Sequence, residues 1–196
     1  RYTASIMGAF SGLDIEFSVY GRTHTPRHDQ VAQEFFLRLY ERGHIVKKTG
    51  EQVYCTECER FLPDRYIEGT CYYPDCKSPG ARGDQCEKCG RPMDATKLID
   101  PECMGCKTLG RESRGHIEVR STDHWYFRLD SFSSALREYL DSHPEWRESV
   151  KRFSYGLIDQ GLKERGITRD MEWGVPVPLP GAEGKVLYVW FDAPIG

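Results

Sequence analysis

All eight cysteines of this 196-residue chain lie between residues 55 and 106, where they form four close pairs. The pairs are Cys55/Cys58, Cys71/Cys76, Cys86/Cys89 and Cys103/Cys106. Three of the pairs have the C-x-x-C spacing, with which one tight turn offers two thiolates to one metal ion. Because a tetrahedral zinc site takes four ligands, each ion needs two pairs. The pattern therefore predicts two all-cysteine zinc sites.

Three other uses of these cysteines are open: disulfides, redox dithiols and an iron–sulfur cluster. Disulfides are the strongest rival by number, but the sequence shows no secretory signal pattern, and disulfides are rare in a reducing cytosol. A redox C-x-x-C normally occurs once, beside a βαβ unit. Four thiolates fill the coordination sphere of zinc, so we expect structural sites that perform no chemistry.

The four pairs can combine into two sites in three ways. Residues 77–85 form a short polar stretch with Gly and Pro, which suits a turn between two knuckles and favours joining the inner pairs. The outer pairs would then share the second ion. Site one would hold Cys71, Cys76, Cys86 and Cys89, and site two Cys55, Cys58, Cys103 and Cys106. Residues 51–107 are rich in Gly, Pro and charge, so we expect the metal to supply the folding energy of this region.

Composition limits the class of protein. The chain is 39% hydrophobic and 29% charged, with net charge −3. Its longest apolar run, residues 186–191, is too short to span a bilayer, and we expect a cytoplasmic protein with no membrane association. The chain has no excess of basic residues that would indicate nucleic-acid binding. A local basic patch is still compatible with this composition.

The apolar pattern outside the cysteine region predicts an α/β fold. It indicates a helix within residues 1–12, a strand over residues 13–19 and a helix that starts at Thr25-Pro26 and ends at Gly43. After the cysteines we expect short strands around Ile117, Val119 and residues 125–129. Helices are predicted over residues 131–141 and 144–164, the second ending at Gly166. Residues 186–191 suit a strand buried on both faces of a parallel sheet.

Three stretches after the cysteine region resemble the methionyl-tRNA synthetase family. They are I-T-R-D at residues 167–170, W-G-V-P-V-P at 173–178 and Y-V-W-F-D-A-P-I-G at 188–196. The similarity covers most of the chain, from about Gly12 onward. The segment around Arg169 is shared with synthetases for branched aliphatic amino acids, whereas the last stretch together with the cysteines is highly specific. The Cys71/Cys76 pair departs from the commonest knuckle spacing.

The resemblance implies a partial Rossmann-type catalytic domain of a class I synthetase, interrupted by a small zinc-knuckle insertion. Residues 1–46 and 131–196 would belong to the catalytic domain, and residues 47–130 to the insertion. It also implies a ligase that activates L-methionine with ATP and Mg²⁺ to methionyl adenylate, and transfers it to tRNA(Met) for translation. The family's HIGH signature belongs upstream of Arg1 and its KMSKS loop beyond Gly196. We therefore expect an internal fragment that is inactive by itself.

The resemblance assigns roles to four residues. Trp190, Ala193 and Pro194 match positions that line the methionine pocket, and an aromatic ring suits a polarizable thioether. Arg169 matches a catalytic arginine near ATP and the methionine carboxylate. Periodicity alone would place Trp190 in the sheet core. Arg169 would alternatively form a surface ion pair with Asp170 or Glu172, and for Asp192 we expect a structural role in orienting the turn.

Several other residues carry weaker expectations. The six histidines show no paired ligand spacing, and we expect them to be solvated or packed: His24, His28, His44, His116, His124 and His143. Four basic residues are candidates for contacts with tRNA phosphates: Lys47, Lys48, Arg82 and Arg91. Without the rest of a catalytic domain, the strand over residues 186–191 would expose an edge, so we expect self-association through it.

Two other functions compete with this interpretation. A free-standing zinc-knuckle module that binds nucleic acid or protein would need only the cysteine region and a few strands, whereas this chain continues into amphipathic helices. A synthetase for another amino acid is opposed by the stretch from Trp190 to Gly196.

Overall fold

The computed structural model describes residues 2–195. Arg1 and Gly196, the latter being the last residue of the 188–196 stretch, lie outside the described residues. The helices are α1 (Tyr2–Ser11), α2 (Pro26–Glu41), α3 (Met104–Thr108), α4 (Ser133–Asp141), α5 (Glu148–Asp159) and α6 (Val189–Asp192). The strands are β1 (Ile45–Cys55), β2 (Arg60–Phe61), β3 (Ile67–Thr70), β4 (Ala81–Arg82), β5 (Ile99–Cys103), β6 (Ile117–Phe127), β7 (Arg165–Gly166), β8 (Thr168–Asp170) and β9 (Lys185–Leu187).

A long antiparallel ribbon of β1 and β6 is the spine of the fold. Its ladder runs without interruption from the pair Ile45/Phe127 to the pair Cys55/Ile117. Eleven residues of strand span about 35 Å at about 3.3 Å each. The short strands expected around residues 117–129 are thus one continuous strand. The edge strands β2 and β7 complete a sheet of order β2-β1-β6-β7.

Each end of the ribbon carries its own hydrophobic core. At the Cys55 end, a three-stranded sheet of order β4-β3-β5 surrounds a core to which the cysteines themselves contribute much of the buried surface. At the Ile45 end, α2 packs on the ribbon and on the segments around β8 and β9. The ribbon therefore holds a cysteine module at a distance from a helical body.

The helix predicted after Thr25-Pro26 is confirmed and anchors the helical body. The Thr25 hydroxyl caps α2 by accepting a hydrogen bond from the backbone N–H of His28, at 3.2 Å. Ala32 and Phe36 lie fully buried on the inner face of the helix. The cap and the apolar face, both readable in the sequence, fix where α2 begins and how it packs.

The strand predicted over residues 13–19 was wrong. This segment folds back on α1, with the N–H of Ile15 donating to the carbonyl of Phe10 at 3.0 Å. The rings of Phe10 and Phe17 meet edge to face with centroids 4.9 Å apart. Alternating apolar residues make a strand only when a partner strand pairs with them, and here aromatic contacts with α1 take that place.

The helix predicted over residues 144–164 is shorter than expected. It forms only as α5, and the chain leaves it at Gly161, whose φ is +85°, rather than at Gly166. Trp146 lies before the helix, where its ring contacts Tyr139 and His143. Gly166 instead belongs to β7, beside the ribbon.

The continuous buried strand predicted over residues 186–191 was also wrong. Only β9 is extended, it is antiparallel to β8, and α6 begins at Val189. The helical turn is favoured because it sets Phe191 against Phe36, with ring centroids 6.0 Å apart. The other side of β9 bonds to residues 175–177 through the N–H groups of Val177 and Leu187. Both sides of β9 are therefore paired within the chain, and self-association through this segment stays a prediction.

All strand pairs within residues 2–195 are antiparallel. A helix with the length and apolar character to cross a bilayer does not occur in this part of the chain.

Candidate metal centres and active-site cleft

The outer cysteines converge where β1, β5 and α3 meet. Sγ atoms of Cys55, Cys58, Cys103 and Cys106 all lie within 4.8 Å of one another. Cys58 Sγ is 3.3 Å from Cys106 Sγ and 3.7 Å from Cys103 Sγ. The Cys58 N–H donates to Cys55 Sγ at 3.4 Å, so the knuckle backbone also faces the sulfur. Four ligands at the zinc–sulfur bond length of about 2.3 Å are separated by about 3.8 Å, which these contacts approach.

The inner cysteines form a second set of the same kind. Sγ atoms of Cys71, Cys76, Cys86 and Cys89 lie within 4.8 Å of one another. The wider Cys71/Cys76 knuckle closes through a turn in which the N–H of Cys76 donates to the Tyr73 carbonyl at 3.0 Å. Cys76 and Cys86 sulfurs are 3.8 Å apart. A disulfide needs about 2.05 Å, so none of the eight cysteines is oxidised in this structure.

Arg91 binds the two inner knuckles together. Its guanidinium donates to Asp75 at 2.7 Å and to Cys89 Sγ at 3.4 Å, and it stacks 4.1 Å from the Tyr73 ring centre. Hydrogen bonds from the backbone and the side chain of Arg91 lower the pKa of Cys89 to about 6. Burial instead raises the pKa of Cys71 to about 11. A divalent cation would displace the proton of the Cys71 thiol and would be bound by all four thiolates, which is the chemistry of a structural zinc site.

The four basic residues considered for phosphate contacts all have acidic partners. Lys47 pairs with Asp123 at 2.7 Å, and Lys48 pairs with Glu164. Arg82 lies 3.6 Å from Glu87, and Arg91 is held as described above. A phosphate would have to compete with these carboxylates.

A cleft of about 1220 Å³ separates the cysteine module from the helical body. The module contributes Pro63, Asp84, Met93 and Asp94 to its walls, and the body contributes Arg169, Tyr188, Trp190 and Pro194. A smaller cavity of about 400 Å³ adjoins it, and Arg169, Tyr188 and Trp190 line both. Three of the four residues assigned from the sequence thus meet at one place. Ala193 is exposed next to Pro194 and is not part of the cleft lining.

Trp190 is not part of a sheet core. It lies in α6, is 74% exposed and lines the cleft. The neighbouring Phe191 packs inward on α2, and Asp192 Oδ2 lies 3.1 Å from Nε2 of His28. Asp192 therefore ties the turn to α2, a contact that the sequence did not reveal. A rigid turn with one large aromatic ring left exposed is suited to receive an apolar ligand.

Arg169 is held against the Tyr188 ring. Its guanidinium carbon is 3.7 Å from the ring centroid, a cation–π contact, and Nη1 donates to the carbonyls of Gly166 and Thr168 at 3.2 and 2.9 Å. Asp170, one of the two ion-pair partners considered from the sequence, bonds to Lys185 and His124. The role of Tyr188 beside Arg169 was not predicted, because an aromatic residue within an apolar run is usually interpreted as a core residue.

Buried polar residues on the far side of β8 were missed as well. Thr122 and His124 lie two residues apart on β6 and face Asp170 and Lys185. Two polar residues at a spacing of two, ahead of the apolar end of β6, are the signal that would have revealed them.

The chain is similar to known proteins over its whole length. A family model described as tRNA synthetases class I (M) matches residues 1–196. The methionine–tRNA ligase of Thermomicrobium roseum is 46% identical over 198 residues, which is 100% of this chain and 32% of that protein. The methionine–tRNA ligase of Porphyromonas gingivalis is 48% identical over 197 residues, 100% of this chain and 28% of that protein.

A solved structure titled Mycobacterium tuberculosis methionyl-tRNA synthetase in complex with methionyl-adenylate also matches. The TM-score is 0.58 at 21% identity, over 96% of this chain and 30% of that chain. The α/β fold class predicted from the sequence is thereby confirmed. The chain spans about a third of the length of the proteins it matches.

Proposed function

The chain belongs to the class I tRNA synthetase family described as M, as its sequence predicted, and on this premise we propose that it is a segment of a methionine–tRNA ligase. The complete protein would use ATP with Mg²⁺ to activate L-methionine, and would then esterify tRNA(Met). The meeting of Arg169 and Trp190 at one cleft is the observation that carries the proposal. Residues 47–130 would be the zinc-bearing insertion, and residues 1–46 and 131–196 parts of the catalytic domain.

In this proposal the turn at α6 recognises the side chain of methionine. The exposed ring of Trp190 would cover the thioether, and Pro194 would bound the pocket. Contact between sulfur and an aromatic ring stabilises a bound thioether by about 0.3–1.5 kcal/mol beyond its burial. This contact would favour methionine over an alkyl side chain of similar length.

Arg169 would act on the reacting groups. In the activation step an oxygen of the methionine carboxylate attacks the α-phosphorus of ATP, a new P–O bond forms, and the bond to pyrophosphate breaks. Negative charge builds on the phosphoryl oxygens and the leaving group, and a guanidinium fixed in advance stabilises it without reorganisation. The stacking on Tyr188 and the bonds to two carbonyls support such preorganisation.

The cysteine sets would each hold one structural zinc ion, which completes the core of the module and takes no part in the reaction. Their donor chemistry and sulfur spacing support this assignment. A module of this kind acting alone, as a nucleic-acid or protein binder, would account for residues 47–130 but not for the cleft residues on the helical body.

Methionine-dependent exchange of pyrophosphate into ATP by the full-length protein tests the proposal. We expect exchange with methionine and much less with leucine, and a loss of about 100-fold or more in kcat for Arg169→Gln. Lys151→Gln, a change on α5 outside the cleft lining, is the control. Exchange that does not depend on methionine, or that survives Arg169→Gln unchanged, would reject the assignment.

A further inference from the structure

The carboxylate of Asp170 is the centre of a buried polar cluster directly beside Arg169. Oδ1 of Asp170 pairs with Lys185. Oδ2 accepts a hydrogen bond from the Thr122 hydroxyl at 3.0 Å and lies 3.0 Å from Nε2 of His124. Lys185 also donates to Thr122 at 2.7 Å, which closes the cluster. Among the described residues, the partners of the carboxylate come from two elements, the ribbon strand β6 and the hairpin strand β9.

His124 connects this cluster to a second point on β8. Its Nδ1 lies 2.9 Å from the hydroxyl oxygen of Thr168, and the same oxygen accepts the N–H of Trp125 at 3.1 Å. Both ring nitrogens are thus engaged, and the His124 side chain is 7% exposed. A single histidine fixes β8 to β6 at residues 168 and 170.

Because His124 fixes β8, it also affects where the side chain of Arg169 points. Side chains alternate between the two faces of a strand, so Thr168 and Asp170 share the face toward β6 while Arg169 points away from it. The side on which Arg169 lies is closed by the Tyr188 ring and by Gly166, where an added Cβ would come within 3.7 Å of Nη1. The contacts of β8 with β6 therefore support the position of the guanidinium against Tyr188.

An apolar cluster of similar volume could stabilise this place as well as the polar one does. Replacing buried ionic groups by apolar side chains of similar volume is often neutral or stabilising, whereas a buried polar network fixes one arrangement of its elements. The functional value of the cluster would then be the arrangement it selects.

We propose that His124 is a positioning residue for catalysis, which acts through Asp170 and Thr168 to hold Arg169 in the cleft. The proposal rests on the function proposed above, in which Arg169 contacts the reacting groups. His124 also lines the cleft. Because Thr168 and Asp170 engage both of its ring nitrogens, in this proposal it acts through them and not by contact with substrate.

Single-turnover formation of methionyl adenylate by the full-length, zinc-loaded protein tests this role. For His124→Ala we expect the rate to fall about 10- to 100-fold with an unchanged amplitude and a methionine KM within about twofold of the wild type, because a displacement of about 1 Å can cost 10²-fold. His124→Gln retains a donor toward Asp170 and should recover most of the rate. Thr49→Val removes an exposed hydrogen bond between β1 and β6, to Asp123, and should leave the rate unchanged.

A double-mutant cycle shows whether the effect passes through Arg169. In an Arg169→Ala background, His124→Ala should cause no further loss, since the group it positions is gone. A smaller amplitude at an unchanged rate, as a purely structural role would give, overturns the proposal. So does an equal loss in both backgrounds. If the wild-type protein forms no methionyl adenylate, the proposed function itself fails; if it does and His124→Ala is indistinguishable from it, only the positioning role fails.

Discussion

Nε2 of His28, at the start of α2, lies 3.1 Å from Oδ2 of Asp192, at the end of α6. Both side chains are largely buried, with exposed fractions of 6% and 14%. The pair joins the capped first turn of α2 to the short helix that carries Trp190. A helix of four residues has little stability of its own, so its orientation depends on such tertiary contacts.

We expect His28→Ala to destabilise the full-length protein by about 1–3 kcal/mol, because it leaves the Asp192 carboxylate without this buried partner. The midpoint of urea unfolding, followed by tryptophan fluorescence, measures the change. His24→Ala removes an exposed histidine from the preceding loop and should shift the midpoint little. Equal shifts for the two variants would mean that the pair adds nothing to stability.

The features predictable from the sequence are those whose cause is local or covalent. Thr25 and Pro26 mark the start of α2 because a cap and a fixed φ act within one turn. The grouping of the cysteines followed from knuckle spacing and from the short link at residues 77–85, and the structure places the same four sulfurs together in each set.

Features decided by distant partners were not predictable. Residues 186–191 read as one strand, yet the contact of Phe191 with Phe36 favours a helical turn after Leu187. As the alternative to a catalytic role, the sequence offered Arg169 an ion pair with Asp170 or Glu172, but Lys185 and His124 bind the Asp170 carboxylate. The local sequence pattern does not show which distant side chain will contact a given residue.

Trp190→Ala should weaken methionine binding without weakening the fold. Because the side chain is 74% exposed, we expect a change in unfolding free energy below about 0.5 kcal/mol. Loss of apolar and sulfur–aromatic contact should raise the methionine KM about 10- to 100-fold in pyrophosphate exchange. Phe153→Ala, at a 70% exposed position on α5, is the matched control and should leave KM unaltered. A normal KM for Trp190→Ala would remove this residue from the pocket.

Gly174→Ala should be strongly destabilising. Gly174 has φ of +147°, and an added Cβ would lie 2.9 Å from both Cβ and Cγ2 of Val186 in β9. Backbone strain and overlap with a buried side chain together predict a loss of about 3 kcal/mol or more in urea unfolding. Gly181→Ala also has positive φ, +75°, but open space around the new Cβ, so it should lose only about 1 kcal/mol. Similar losses in both variants would show that the contact with Val186 is unimportant.

Native mass spectrometry should find two zinc ions on this chain, both lost on denaturation. Each set of four sulfurs should hold one ion, so Cys58→Ser and Cys76→Ser should each reduce the count to one, and the double variant to zero. Ser78→Ala, between the inner knuckles, should retain both. Bound iron with sulfide, or a denatured mass lowered by disulfide formation, would contradict the zinc assignment.

Asp170 should make stability depend on acid pH. Burial raises its pKa, but hydrogen bonds from His124 and Lys185 outweigh burial and hold the pKa below the ordinary 3.8. Since the folded state binds this proton less tightly than the unfolded state, the stabilisation is fully present well above pH 3.8 and is lost as pH falls through the folded pKa. The difference in unfolding free energy between wild type and Asp170→Asn should therefore be largest near neutral pH and shrink below about pH 4. Asp159→Asn, at an exposed position, is the control and should differ from the wild type by a small amount that hardly changes with pH. Loss of zinc in acid affects the wild type and both variants alike. A difference for Asp170→Asn that stayed constant down to pH 3 would show that ionised Asp170 is not what the cluster stabilises.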